Sequence, residues 1–493
     1  MSQPRNVVLS AGATIVMVGS RFALLAIAAR RLSESGFGQF AYAMWLVDIA
    51  FLACSLGAAG TVSRYASEFR GDESKLAEFM GRWRRRAVAV PLLSVIAVVT
   101  MARLSGLEFG LESLAALALW AMLQAGWALQ TAALTGSQRF DKIVVANMTA
   151  AAVMLVGISV MPLPSGGLWS LFALMASAAM TAILIGFPGV RGLGAGVPVA
   201  MPAAQWRSIR VYGFNMWLTP LLWSLLWSRG EFPIVRALAG DQGAAHYAAA
   251  MTVFGGAVQA MTLGVYGVMP HLTHLLGEGH VQRAVKTAEN VMNLQLLTCG
   301  CVGLLLICFG PELMGLAFGY AYSDAAGMLV ILGSALPAMA LATQNHLLQI
   351  ATDGRFSRDT SLLGVVVLMG LAMVLVSVGG LPGAALARAL TVILLGLITV
   401  FFVRHRWTPS SISIRNLLIV LGACLGGAWA VEAIGDQRLL ERAGVFMIGV
   451  IVIGSQLRIV GGPLVLLYIL RRLTAAAKTT RVDESLPGRK HTS

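Results

Sequence analysis

Apolar residues fall along this chain in long blocks, not in the short periods of a soluble helix or strand. The blocks cover 7–29, 38–63, 87–102, 112–135, 143–161, 167–188, 209–235, 244–270, 288–309, 323–350, 360–378, 381–403, 412–431 and 443–470. A hydrocarbon core about 30 Å thick takes roughly 20 helical residues to cross, and most blocks have about that length. Two are irregular. Block 87–102 is short, and 443–470 is long, with Arg458 and a Gly461-Gly462-Pro463 break inside it. Block 7–29 is followed by Arg30-Arg31 instead of a small-residue cleavage site, so it reads as a membrane anchor and not a signal peptide. The pattern predicts an all-α polytopic membrane protein of about fourteen transmembrane helices.

The polar residues between the blocks orient the chain. With the amino terminus in the cytoplasm, 26 of the 36 Lys and Arg residues fall inside, six outside and four within spans. That asymmetry predicts an even number of spans with both termini cytoplasmic. No outside loop is long enough for a catalytic domain. Residues 191–208 are rich in Gly and Pro and read as a cytoplasmic linker, and 471–493 as a basic cytoplasmic tail. Composition agrees: 57% of residues are hydrophobic and 12% charged, against about 25% charged in soluble domains. The net charge of +14 is therefore loop charge. A nucleic-acid partner is excluded, since no basic stretch interleaves with aromatics as a stacking groove requires. The five cysteines, Cys54, Cys299, Cys301, Cys308 and Cys424, lie in apolar blocks without a C-x-x-C pair. His271, His274, Glu278 and His280 cluster after Pro270, but the setting is a loop and no metal is expected. Neither a Walker A nor a G-x-S-x-G pattern occurs, so the chain reads as a non-enzyme without a cofactor.

An internal repeat is visible. Gly36, Phe40, Ala41, Ala43 and Met44 match Gly243, Tyr247, Ala248, Ala250 and Met251 at an offset of 207, and Arg64 matches His271 at the same offset. Ser20-Arg21 matches Ser228-Arg229 at 208, and Gln138–Lys142 resembles Gly354–Arg358 at 216. Two six-helix bundles are expected, 1–190 and 209–405, related by a pseudo-two-fold axis along the membrane normal. Residues 406–470 add two helices.

Charges within spans point to a site, because a charged side chain at mid-bilayer normally faces a partner or a wet cavity. Arg21 lies about nine residues from the outer end of its span, about 13 Å at 1.5 Å per residue, and Asp48 lies at similar depth in the next. They read equally as a structural salt bridge or a cavity charge pair. Arg229 and Arg388 fall at comparable depth. Inward-facing, the three arginines form a cationic layer suited to an anionic cargo such as a diphosphate, whose oxygens the planar guanidinium engages two at a time. Arg64 and His271 extend this cationic set. Asp48 and Glu231 are candidates for a charge pair or for carrying a coupling proton or sodium ion. Pro220, Gly230 and Pro233 predict a bent seventh span.

The run Arg31-Leu32 with Gly36-Phe37-Gly38-Gln39-Phe40, and Gly243–Ala248 after the seventh span, resemble the Wzx-type polysaccharide flippases of the multidrug/oligosaccharidyl-lipid/polysaccharide exporter superfamily. The resemblance implies a flippase moving undecaprenyl-diphosphate-linked oligosaccharide across the bacterial cytoplasmic membrane by alternating access. It further implies polysaccharide polymerase or export machinery as partners and Arg21, Arg229 and Arg388 facing the diphosphate. Lipid II flippases share the topology and rank second. Multidrug exporters and membrane glycosyltransferases or ligases fit less well: the former take cationic cargo, and the latter need larger outside loops.

Overall fold

The computed structural model describes residues 3–161, 167–263, 268–341, 347–349, 352, 355–407, 412–434 and 439–460. The side chains of His271 and Arg458, the Gly461-Gly462-Pro463 break, Gly354 and the tail 471–493 lie outside the described residues. No strand occurs among those described. The helices are α1 (Gln3–Arg31), α2 (Glu34–Ser55), α3 (Ala58–Glu68), α4 (Glu73–Leu104), α5 (Leu111–Gly136), α6 (Phe140–Val160), α7 (Leu168–Val190), α8 (Ala203–Ser224), α9 (Phe232–Leu263), α10 (Val268–Gly277), α11 (Val281–Phe318), α12 (Ala326–Met339), α13 (Arg355–Trp407), α14 (Ile412–Ile434) and α15 (Leu439–Val460). Among the described residues nine helical segments are long and apolar enough to cross a membrane.

Helix and span are not one-to-one. The 53 residues of α13 would reach about 80 Å if straight, far more than one crossing needs. Gly380, at φ 59°, breaks the helix in a conformation that side-chain-bearing residues rarely adopt. Gly364 then packs against Leu395, so the two arms return alongside each other as a hairpin. Gly240, at φ 71°, does the same in α9. Conversely, the single apolar block 38–63 becomes two helices, because Leu56 and Gly57 both take left-handed backbone. Block 87–102 is only the apolar half of α4. Its other half, Glu73–Arg86, is helical but displays Arg82, Arg84, Arg85 and Arg86 to solvent. Asp72 caps that end, accepting from the Lys75 backbone N–H at 3.0 Å and standing 2.9 Å from the Lys75 ammonium. The side-chain bond to Lys75, then the backbone bond, hold its carboxyl well below the usual carboxylate range.

Packing divides the chain into two compact units. The first comprises Met1–Gly267, Phe309–Leu332 and Leu348–Leu395. Here α2 packs along α9 beyond Gly240, and the repeat reappears as matched burial. Phe40 and Tyr247, Ala41 and Ala248, and Ala43 and Ala250 are all fully buried, and Met44 and Met251 nearly so. Small residues let these repeat-related helices touch: a Cβ at Gly38 would overlap the Asp241 carbonyl oxygen. Gly38→Ala is therefore expected to cost about 1–3 kcal/mol, the range for overpacking. Gly370→Ala, with open space around its Cβ, should be neutral or slightly stabilising. Thermal unfolding of the two variants in detergent checks the contrast.

The second unit comprises Val268–Cys308, Gly333–Leu347 and Gly396–Ser493. The backbones of Gly303 and Gly333 meet closely there, the small-residue contact by which membrane helices approach. Asn416 donates to Asn293 at 3.4 Å, both buried. All five cysteines are free.

Candidate functional site

The site lies in the first unit and is built from three helical hairpins. In the first, α1 ends at Arg31, Ser33 caps α2 through its hydroxyl, and the chain doubles back. Residues equidistant from this turn meet, and Arg21 donates from Nη2 to Asp48 Oδ2 at 2.8 Å. Both side chains keep more than a third of their surface exposed, at 37% and 39%.

The second hairpin repeats the device with different chemistry. Here α8 ends at Ser224, and Leu225–Arg229 form one π-helical turn before α9. Such insertions disturb the regular hydrogen-bond ladder and re-aim side chains. Pro220 and Gly230 flank this turn, and Pro233 stands in the first turn of α9. Arg229 reaches across the Gly240 reversal and donates to Thr252 Oγ1 at 2.6 Å. Thr252 in turn donates to the Ala248 carbonyl. Arg229 has no carboxylate partner among the described residues, and its Cζ lies 5.8 Å from the Phe232 ring centroid. Arg21, Asp48, Tyr247 and Arg388 all lie within electrostatic reach of it.

Arg388, from the second arm of α13, is committed differently. Its Nε donates to Glu231 Oε1 at 2.7 Å, its Nη2 to Glu231 Oε2 at 2.5 Å, and its Nη1 to the Leu226 carbonyl at 3.0 Å. Tyr247 donates its hydroxyl to Glu231 as well. The exposure of the two side chains is 2% and 0%. This is a two-pronged, buried ion pair, and the carbonyl it also engages belongs to the π turn. The π turn, Glu231 and Arg388 thus form one lock between the second and third hairpins.

The three arginines that the sequence places at one depth come from three different hairpins and have unequal partners. Arg21 is partly exposed and Arg229 half-buried with a neutral hydroxyl as its partner, whereas Arg388 and Glu231 are turned to each other. Arg64 stands elsewhere, at the far end on α3. There it pairs with Glu68 at 3.5 Å and lies 4.4 Å over the Tyr212 ring. The side chain of His271 is outside the described residues. Thr252 and Tyr247 were missed as site residues. Tyr247 was visible only as a repeat marker, and Thr252 carried no signal because a threonine in an apolar block is unremarkable.

Two sets of contacts close the hairpins at their ends. At the turn end, Gln39 donates to Asp241 Oδ2 at 2.7 Å and Arg236 to Asp241 Oδ1 at 2.6 Å, while Gln242 donates to Glu34. Arg30 reaches the carbonyls of Gly315, Leu316 and Ala317, and Arg31 those of Ile158, Ser159 and Met161. These cap the unsatisfied carboxyl-terminal ends of α11 and α6. At the opposite end, Trp217 donates to the Ala53 carbonyl at 3.0 Å, and Tyr65 packs edge-on against Tyr212.

Comparison with known proteins places this architecture. The family model described as polysaccharide biosynthesis protein matches residues 4–260, more than half of the sequence. The chain belongs to the polysaccharide biosynthesis protein family. This family member also shares its fold with solved transporters. An inward-facing multidrug resistance MATE family transporter of the MOP superfamily superposes with a TM-score of 0.61 at 14% identity, over 81% of this chain and 98% of that one. The lipid II flippase MurJ in an inward closed conformation gives 0.59 at 12% identity, over 90% and 97%. A MOP superfamily transporter from Pyrococcus furiosus, described by a reversed polarity of its binding pocket, gives 0.56 at 14% identity, over 81% and 95%. Curated proteins yield no match. The polysaccharide biosynthesis family member is thus a multi-pass, all-helical membrane protein with the fold of flippase-type transporters.

Proposed function

We propose that this protein flips undecaprenyl-diphosphate-linked oligosaccharide across the bacterial cytoplasmic membrane, with both termini cytoplasmic. The observation that carries the reading is the arrangement of Arg21 and Arg229. Two guanidinium groups, one partly exposed and one half-buried, lie within electrostatic reach of each other on repeat-related hairpins, and only one has a carboxylate beside it. The arrangement leaves an excess of positive charge at membrane depth, which a diphosphate neutralises with charge-assisted bonds. Arg388 serves as the lock that holds the second hairpin in register. Asp48 is the acid we assign to ion coupling, since Glu231 has no exposed surface. The contacts at the two ends act as alternating seals. Those through Asp241 and Gln242 must part in one state, and those through Trp217 and Tyr212 in the other. Polymerase or export proteins stand downstream as partners.

The lipid II reading shares the diphosphate chemistry and is favoured by one observation, the extent of the MurJ fold match. Depleting the protein in its own bacterium separates the two. The expected result is accumulation of lipid-linked oligosaccharide on the inner leaflet, reversed by the wild-type chain. Accumulation of the peptidoglycan precursor instead would select the second reading, and altered drug sensitivity with neither lipid accumulating would reject both.

A further inference from the structure

A cavity of about 350 Å³ lies at the arginine-rich end of the first unit, among α3, α4 and α8. It is separate from the arginines of the hairpins. Its wall is built from Thr61, Phe79, Arg82, Trp83, Trp206 and Ile209, with Arg86 and Arg210 at its edge. Packing accounts for the apolar part of this wall, since Phe79, Trp83 and Ile209 belong to a buried core with Val62 and Tyr65. Packing does not account for its polar atoms. The Thr61 hydroxyl and the indole nitrogens of Trp83 and Trp206 are buried without any hydrogen-bond partner. Thr61 is 3% exposed and Trp83 8%. These atoms have almost no surface open to the cavity, so the groups that meet a ligand are the charged ones at its edge.

The charge at this cavity fixes the kind of acceptor. Arg82 is bound to Glu78 at 3.0 Å and stacks 3.9 Å over the Trp206 ring, so it is fixed in place. Arg86 and Arg210 are exposed and have no ion-pair partner among the described residues. Two unpaired guanidinium groups at the edge of a cavity match a group rich in acceptor oxygens and negative in charge. The surroundings favour a lipid source. On the Arg86 face of α4 the next residues towards the membrane are Ala89, Leu93 and Ile96, all but Ala89 large and apolar and all exposed. On the Arg210 face of α8 stands exposed Phe214. A head group seated between the arginines would leave its acyl chains against these side chains.

We propose that this α3–α4–α8 cavity binds a phosphate-bearing group, with Arg86 and Arg210 as its charge partners. An anionic phospholipid head group and free phosphate share this chemistry. Basic pockets among helices on the side that the positive-inside asymmetry assigns to the cytoplasm are suited to the former.

Native mass spectrometry of the detergent-solubilised full chain, titrated with phosphatidylglycerol, phosphatidylcholine or inorganic phosphate, provides the test. Wild type is expected to retain phosphatidylglycerol over phosphatidylcholine. Arg86→Gln/Arg210→Gln should weaken that retention about tenfold. Arg85→Gln removes an exposed charge from the same helix outside the cavity and should leave it unchanged. Retention of inorganic phosphate alone, lost in the same double variant, would support the site and assign it to the soluble ligand. Equal retention by the Arg86/Arg210 and Arg85 variants would overturn the proposal, as would no preference for either phosphate source over phosphatidylcholine. Glycan-lipid transport need not change in any of these variants, so the outcome is independent of the flippase reading.

Discussion

Arg388→Met and Glu231→Gln are each expected to destabilise the folded protein by about 3–5 kcal/mol, the cost of leaving one partner of a buried pair charged and alone. The geometry makes the effect large. Neither side chain has appreciable exposure, and Arg388 also satisfies the Leu226 carbonyl of the π turn. The double variant Arg388→Met/Glu231→Gln removes both charges and keeps an amide for the Tyr247 hydroxyl. It should recover most of the loss, since replacing a buried pair as a whole is often close to neutral. Thermal unfolding in detergent reads all three. Single variants that melt with wild type, or a double variant no better than the worse single, would remove the lock from the account.

Arg21→Ala and Arg229→Ala should fail in the opposite manner, with normal folding and lost transport. Arg21 is partly exposed and Arg229 half-buried, and neither is buried against a countercharge. Their removal therefore costs little stability but deletes charge-assisted bonds worth about 1.5–3 kcal/mol each to a bound anion. That corresponds to about ten- to hundredfold in head-group affinity per residue. Lysine at either position keeps the charge and loses the planar fork, so it should rescue only in part. Surface glycan in a complemented depletion strain, normalised to the amount of inserted protein, is the measurement. Full complementation by both alanine variants would falsify the role. The expected contrast with Arg388→Met is informative in itself: one arginine would be needed to fold and two to work.

The sequence was legible wherever a single physical cause dominated. Hydrocarbon thickness writes its length into the apolar blocks, so the spans and the helical class could be read directly. The equal distances of Arg21 and Asp48 from their turn made their pairing foreseeable, because a hairpin brings together residues at matched distances. The same reasoning did not reveal Arg229 with Thr252, since a neutral partner leaves no charge to notice. It placed Arg388 in the layer but not its commitment to Glu231, because these residues are 157 positions apart and only the packing of α13 joins them. Gly240 and Gly380 looked like ordinary membrane-helix glycines, yet each carries a chain reversal. The cavity among α3, α4 and α8 escaped notice because block 87–102 counts only the lipid-facing part of α4. The arginines before it read as orienting charge, which does not exclude a second use.

Two arginines are each tied within their own hairpin, Arg21 to Asp48 and Arg229 to Thr252. A rigid displacement of one hairpin against the other therefore leaves each guanidinium aimed as before and alters only the gap that separates them. If the cargo is the diphosphate proposed above, it is gripped and released without a rotamer change, and the span between two fixed claws decides whether it fits.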